Sequence, residues 1–132
     1  MKIIDGKNAV MGRLASYVAK EALNGEEIAI VNCEQVIITG SRRVVREEFE
    51  KKRGRVGSGQ KGPKHSRDAQ MIVKRAIRGM MPNHRFGRGK VAFGRIKCYV
   101  GVPKEFEKEK KIVGGKELKS KSVQVKELKK IK

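Results

Sequence analysis

The chain has 132 residues, 38% hydrophobic and 36% charged, enough for one packed domain with little room for a second core. Its 33 Lys and Arg stand against 14 Asp and Glu, a formal net charge of +19 that speaks about partners more than about fold. The longest aliphatic runs, 28–31 and 36–38, are far below the roughly 20 residues of a membrane span, and 1–6 holds no apolar secretory segment, so a cytoplasmic protein without membrane contact is expected.

Lys2 to Asp5 reads as a short strand stopped by Asp5-Gly6. Met11, Leu14, Ala15, Val18, Ala19, Ala22 and Leu23 then recur at helical spacing, and Asn24-Gly25 supplies a stop. Glu27 to Asn32 is an aliphatic strand, and Gln35 to Thr39 is β-branched enough to be another. Ser41 is placed to cap a helix over about 42–53. Residues 54–67 are Gly-rich, basic and without apolar periodicity, and read as an exposed loop. A second amphipathic helix follows, with Ala69, Ile72, Val73, Ala76, Ile77, Met80 and Met81 on one face and Pro82 as its terminator. The stretch from Phe86 to Phe93 is ambiguous, Arg95 to Val100 alternates like a strand, and Val123 to Ile131 suggests a small terminal helix. Strands alternating with helices argue for an α/β domain whose parallel strands are joined by helical crossovers.

The charge is not spread evenly. Residues 1–50 are nearly neutral, 51–104 hold sixteen basic side chains and the single acid Asp68, and the remainder is mildly basic. From Ala69 through Lys104 there is no acid at all, while Lys74, Arg75, Arg78, Arg85, Arg88, Lys90, Arg95, Lys97 and Lys104 all fall there. A surface built only for solubility would mix the two signs. A one-sided block is suited to a polyanion, and nucleic acid is the leading partner because each neutralised phosphate releases a counterion. Arginine forks onto phosphates and stacks on bases, which favours structured RNA. Aromatic residues make up only 5% of the chain, so recognition by shape and backbone is expected rather than a single-strand stacking platform.

Other chemistry is thinly represented. Gly57-Ser58-Gly59-Gln60-Lys61-Gly62 formally matches G-x-G-x-x-G, but it follows a charged helix and precedes Pro63 rather than joining a strand to a helix. A solvated loop and an RNA-contacting loop are the plainer readings. Cys33, Cys98, His65 and His84 have no metal-ligand spacing, so no metal or cofactor is expected and the thiols read as free and buried. His65, Ser66 and Asp68 lie close together, but Ser66 or Asp68 is better read as a cap for the helix at Ala69 than as part of a catalytic set. No catalytic residue and no small-molecule substrate are assigned.

Three blocks carry a family resemblance: Gly12-Arg13-Leu14-Ala15-Ser16, Val36-Ile37-Ile38-Thr39-Gly40 and Arg78-Gly79-Met80-Met81-Pro82, with Gly87-Arg88-Gly89 and Arg95 to Gly101 in support. Together they resemble the universal large-subunit ribosomal protein L-thirteen family over about residues 2–103. The segment from Gly54 to Gln70 looks more like the archaeal or eukaryotic branch. The resemblance implies a three-layer α/β/α domain with a small, mainly parallel sheet, spanning 1–103 and including the basic loop 54–67, with 104–132 as a Lys/Glu-rich extension. It further implies a structural, non-enzymatic constituent of the large ribosomal subunit that binds and stabilises rRNA during assembly beside neighbouring ribosomal proteins. An mRNA-binding regulator using the same basic surface is the alternative. With the charge pattern, the resemblance places rRNA-facing positions at Arg53, Arg55, Lys61, Lys64, Arg67, Lys74, Arg75, Arg78, Arg85, Arg88 and Lys90.

Overall fold

Ile3 and Ile4 are adjacent in the first strand and point to opposite sides of a sheet, so each begins a different half of the interior. The computed structural model describes residues 1–55, 57–60, 62–115 and 120–128. In chain order the elements are β1 (Lys2–Asp5), α1 (Met11–Leu23), β2 (Ile28–Val31), β3 (Ile37–Thr39), α2 (Arg42–Arg53), α3 (Ala69–Gly79), α4 (Gly87–Gly94), β4 (Ile96–Cys98), β5 (Ile112–Val113), β6 (Ser122–Gln124) and α5 (Val125–Leu128). Single 3-10 turns lie at Cys33–Gln35, Ser58–Gln60 and Lys104–Phe106.

The main sheet has the order β4-β2-β1-β5 and is parallel throughout, with Ile4 opposite Ile30 and Ile28 opposite Ile96. Every residue of β2 is buried, as expected of a central strand covered on both faces. On one face Ile4, Ile28 and Ile30 meet Leu14, Ala15, Val18 and Ala22 of α1, Val73 and Ile77 of α3, and Ala92 of α4. On the other face Ile3, Ala29 and Val31 meet Phe106 of the Lys104–Phe106 turn, with Tyr99 and Val102 against them. The fold is therefore α/β with three layers, thick on the α1/α3/α4 side and only one helical turn deep on the other.

α1 occupies the residues its periodicity predicts, and Gly25 takes the left-handed conformation (φ 100°) that stops it. α2 also matches, and the Ser41 hydroxyl accepts from the Val44 N–H at 3.4 Å. β3, whose partner the sequence left open, stands outside the parallel sheet: after Asn32 in a left-handed conformation (φ 56°) and the Cys33–Gln35 turn, it pairs antiparallel with β6. Two expectations are corrected. α3 ends at Gly79, leaving Met80 exposed while Met81 still packs on the core. The residue before a proline disfavours helical backbone, and Met81 precedes Pro82. The expected terminal helix over 123–131 is instead a strand followed by one helical turn, because Val123 pairs with Ile38 before Val125 and Leu128 turn into the interior; residues 129–131 lie outside the described residues.

The ambiguous 86–93 stretch is α4, which is rich in glycine and intrinsically poor as a helix. Tertiary contact favours it, with Ala92 buried in the main core. Cys33 and Cys98, far apart in sequence, are neighbours at the ends of β2 and β4, both as free thiols. The neighbouring Cys98 sulfur, and then burial, push the Cys33 thiol up, while the Cys33 thiol and then the Lys74 charge lower Cys98 against its own burial.

Val36 and Ile37 lie between two partners: the Ile37 N–H donates to the Ala9 carbonyl at 2.9 Å, and the Val125 N–H donates to the Val36 carbonyl at 2.8 Å. The chain beyond Lys104 thus contributes Phe106, Val123, Val125 and Leu128 to the interior. Leu128→Ala is expected to lower the unfolding free energy by about 2–4 kcal/mol, measured by urea denaturation. A loss below roughly 0.5 kcal/mol would mean that the segment only rests on the surface.

Candidate nucleic-acid interface

α3 separates two chemistries on one cylinder. Ala69, Val73 and Ile77 are buried against the sheet, and Met71, Lys74, Arg75 and Arg78 follow the i, i+3, i+4, i+7 spacing of a second stripe. Lys74, Arg75 and Arg78 are half-buried, so their stems lie along the protein while the charges reach outward. Arg78, in the last turn, also faces the negative end of the helix dipole.

The loop before α3 is held by two of the arginines expected to meet RNA. Arg53 Nε donates to the His65 carbonyl at 3.2 Å, and Arg75 Nη1 donates to the Lys64 carbonyl at 3.2 Å. The Ser66 hydroxyl accepts from the Asp68 N–H at 3.1 Å. Asp68 stands at the N-cap position of α3 without a side-chain capping bond, so of the two expected caps Ser66 forms a turn one step upstream and Asp68 does not cap. The described part of the glycine segment follows α2 and contains one 3-10 turn, with Gly57 and Gly59 at positive φ. Among the described residues it is a helix, α2, and not a strand that leads into it, unlike a dinucleotide loop.

The C-terminal edge of an open parallel sheet is the customary ligand position of α/β folds. Here Asn32 Nδ2 donates to Asp5 Oδ1 at 2.9 Å, and Glu34 Oε2 accepts from the Gly101 N–H at 2.9 Å. Those polar groups are engaged within the chain. Among the described residues, no three His, Cys, Asp or Glu side chains are grouped as a metal site.

The basic positions divide by place. Lys64, Lys74, Arg75 and Arg78 converge on one cavity of about 290 Å³ between the loop, α3 and α4. Arg53 is half-buried beneath the loop, and Arg55 and Arg67 are exposed along it. Arg85, Arg88 and Lys90 are exposed on the turn after α3 and on α4. Lys61 lies outside the described residues. Arg95, although within the acid-free stretch, turns inward and donates to the Ala22 carbonyl at the end of α1 (3.0 Å). The ion pairs Lys2–Glu21, Arg43–Glu47 and Arg46–Glu50, found among the described residues, fall in the near-neutral first part of the chain.

Two members of the site escape a reading by charge. Phe93 of α4 lines the same cavity, with Lys74 Nζ 5.1 Å from its ring centroid and the His84 ring 6.3 Å away, tilted by 59°. Phe86, between Arg85 and Arg88, is 68% exposed. The turn carrying His84 is seated against α4 at Gly89, where a Cβ would fall 2.3 Å from the Pro82 carbonyl oxygen and 2.4 Å from that of Asn83. A larger cavity of about 480 Å³ lies between α2 and α3, lined by Ile38, Val45, Phe49, Ile72 and Leu128 together with Lys52, His65 and Arg75.

His65 lies among these cations. Partial burial, followed by the charges of Arg75, Lys52, Arg55 and Arg78, holds its imidazole below the usual histidine range. The unfolded chain therefore takes up a proton here at higher pH than the folded one, and this residue's contribution to stability is lost as pH falls below the ordinary value of 6.5.

The sequence profile named "Ribosomal protein L13" matches residues 1–105. The chain is 46% identical over 110 residues to "Large ribosomal subunit protein uL13" of Thermoplasma volcanium, covering 83% of this chain and 79% of that protein. It is 47% identical over 107 residues to the protein of the same name from Methanococcoides burtonii, covering 81% and 76%. The Methanococcus maripaludis protein, again so named, is 47% identical over 106 residues, covering 78% and 77%.

Gly89→Ala is expected to destabilise the protein despite the better helix propensity of alanine, by about 1–3 kcal/mol or more in thermal or urea unfolding. A stabilised variant would show that the turn is not seated as described. In an NMR titration the His65 imidazole is expected to titrate below an exposed histidine and to move upward when a polyanion neutralises the surrounding cations. An unchanged midpoint in the presence of RNA would separate His65 from the interface.

Proposed function

The chain belongs to the ribosomal protein L13 family, in its archaeal/eukaryotic type, and on that premise we propose that it is a structural constituent of the large ribosomal subunit whose central basic face binds and stabilises rRNA during assembly. The observation that carries this reading is the convergence of Lys64, Lys74, Arg75 and Arg78 on one cavity with no acidic side chain among its described lining residues. Such a face repels itself in isolation and gains free energy when phosphates occupy it.

The work of the protein on this reading is positional rather than chemical. The sheet and α1 hold α3, α3 holds the cations, and the cations hold rRNA segments that would otherwise repel one another. Arg53 and Arg75 act first on the protein, by tying down the loop at His65 and Lys64. Among the described residues, Arg78, Arg85, Arg88 and Lys90 have no such side-chain bond to the loop and supply the charge more directly. The proposed partners are large-subunit rRNA and neighbouring ribosomal proteins, in the cytoplasm. No cofactor or small-molecule substrate is part of the proposal. The mRNA-regulator alternative draws on the same surface, and competition between rRNA and mRNA fragments for the protein separates the two.

Arg78→Glu is the cleaner single test, because Arg75 also anchors the loop. Helical content is expected to stay near wild type and the thermal midpoint to fall by only a few degrees, from the lost contact with the helix dipole, while rRNA affinity falls and the log–log salt slope decreases in magnitude by about one. Salt-insensitive binding by the wild type, or absence of the protein from high-salt-washed large subunits, would overturn the proposal.

A further inference from the structure

We propose that the cavity between α3 and α4 receives one unstacked nucleotide of the bound RNA, its base against Phe93 and its phosphates on Lys64, Arg75 and Arg78. This rests on the RNA-binding reading and adds to it a mode of recognition: a single displaced base, rather than the backbone of a duplex alone.

Size is the first argument. A volume of about 290 Å³ stands at the lower bound of small-ligand sites, on the scale of one nucleotide. Bases inside an A-form duplex are stacked and paired, so none is presented to a recess of this kind; bulges, loops and ends do present them.

Chemistry is the second. The recess joins an aromatic ring and the apolar side chain of Met71, itself 48% exposed, to four cations. Inorganic phosphate or an acidic peptide would answer the cations and leave the ring unused. A nucleotide answers both, with a π-face for Phe93 and an anion for the basic side chains. Lys74 now holds its ammonium near the ring, at 5.1 Å from the centroid. A base stacked on an aromatic ring gains at least as much as this cation–π contact, so an entering base displaces the contact and Lys74 swings to a phosphate.

Rigidity is the third. Gly89 seats the His84 turn against α4, and the Arg75 bond to the Lys64 carbonyl fixes the opposite wall. A recess built in advance loses little entropy on filling. Phe93 is thereby the specificity element within a face otherwise governed by charge.

The test uses the full chain, a ten-nucleotide single-stranded oligoadenylate carrying one 2-aminopurine, a ten-base-pair RNA duplex and decaglutamate. Wild-type protein is expected to raise the 2-aminopurine fluorescence, because a base drawn out of an adenine stack loses the neighbours that quench it. Phe93→Leu, which keeps apolar volume and removes the ring, should bind the single strand about tenfold more weakly without that rise, with its salt slope and duplex affinity unchanged. Equal single-strand affinity and an equal rise in Phe93→Leu would overturn the inference, as would decaglutamate binding the wild type as tightly as the oligonucleotide. A second measurement does not depend on the variant: the Phe93 ring protons of the wild type should shift upfield with the oligonucleotide, and unshifted signals would overturn the inference. If the wild type binds neither these RNAs nor large-subunit rRNA, it is the broader RNA-binding reading that fails.

Discussion

One helix face carries the rest of this structure. Ala69, Val73 and Ile77 are drawn out of water against the sheet, and because a helix has a fixed pitch, Lys74, Arg75 and Arg78 are held on the opposite side. Cations that repel one another are thus kept adjacent by apolar burial elsewhere on the same helix. The near-neutral first part of the chain supplies the surface on which that burial takes place, through α1 and the buried strands β1 and β2. Function and fold are divided between regions of the sequence but joined at α3.

The arginines around the basic loop do not share one role. Arg53 and Arg75 donate to backbone carbonyls of a glycine-rich segment that has little apolar content of its own. The His65 carbonyl is half-buried and needs a donor, the Lys64 carbonyl lies at the surface, and a guanidinium serves either while keeping its charge. Arg95 does the same for the end of α1. Counting charge therefore overstates the surface available to a partner, and hydrogen-bond partners distinguish the anchoring arginines from Arg78, Arg85 and Arg88.

The second face of the sheet shows how a short chain closes a parallel fold economically. Where a larger α/β protein lays further helices, this one packs Tyr99, Val102 and Phe106 over Ile3, Ala29 and Val31. The Tyr99 and Phe106 rings meet at 5.6 Å and 56°, an edge-leaning arrangement that suits two aromatics. The segment beyond then returns as β5 beside β1 and as β6 beside β3. β1 and β3 each gain a hydrogen-bonded neighbour by this return.

Local periodicity sufficed for α1, α2 and most of α3, because apolar spacing along a helix is visible without knowing its neighbours. Charge clustering likewise marked the central block, since Coulomb repulsion depends on which residues are present more than on how they pack. The parallel sheet was legible as a class from the alternation of strands and helices. The partner of β3 was not, because antiparallel pairing with Ser122–Gln124 joins residues more than eighty apart and depends on Asn32 turning the chain. Nor was α4, whose glycines argue against a helix until Pro82 and Asn83 are found pressed against Gly89. The sequence by itself determined how the apolar and basic residues are distributed and hence that a charged helix face would form; only the tertiary structure decided that Phe93 and His84 stand beside Lys74, because that meeting requires α4 to exist and to dock against α3.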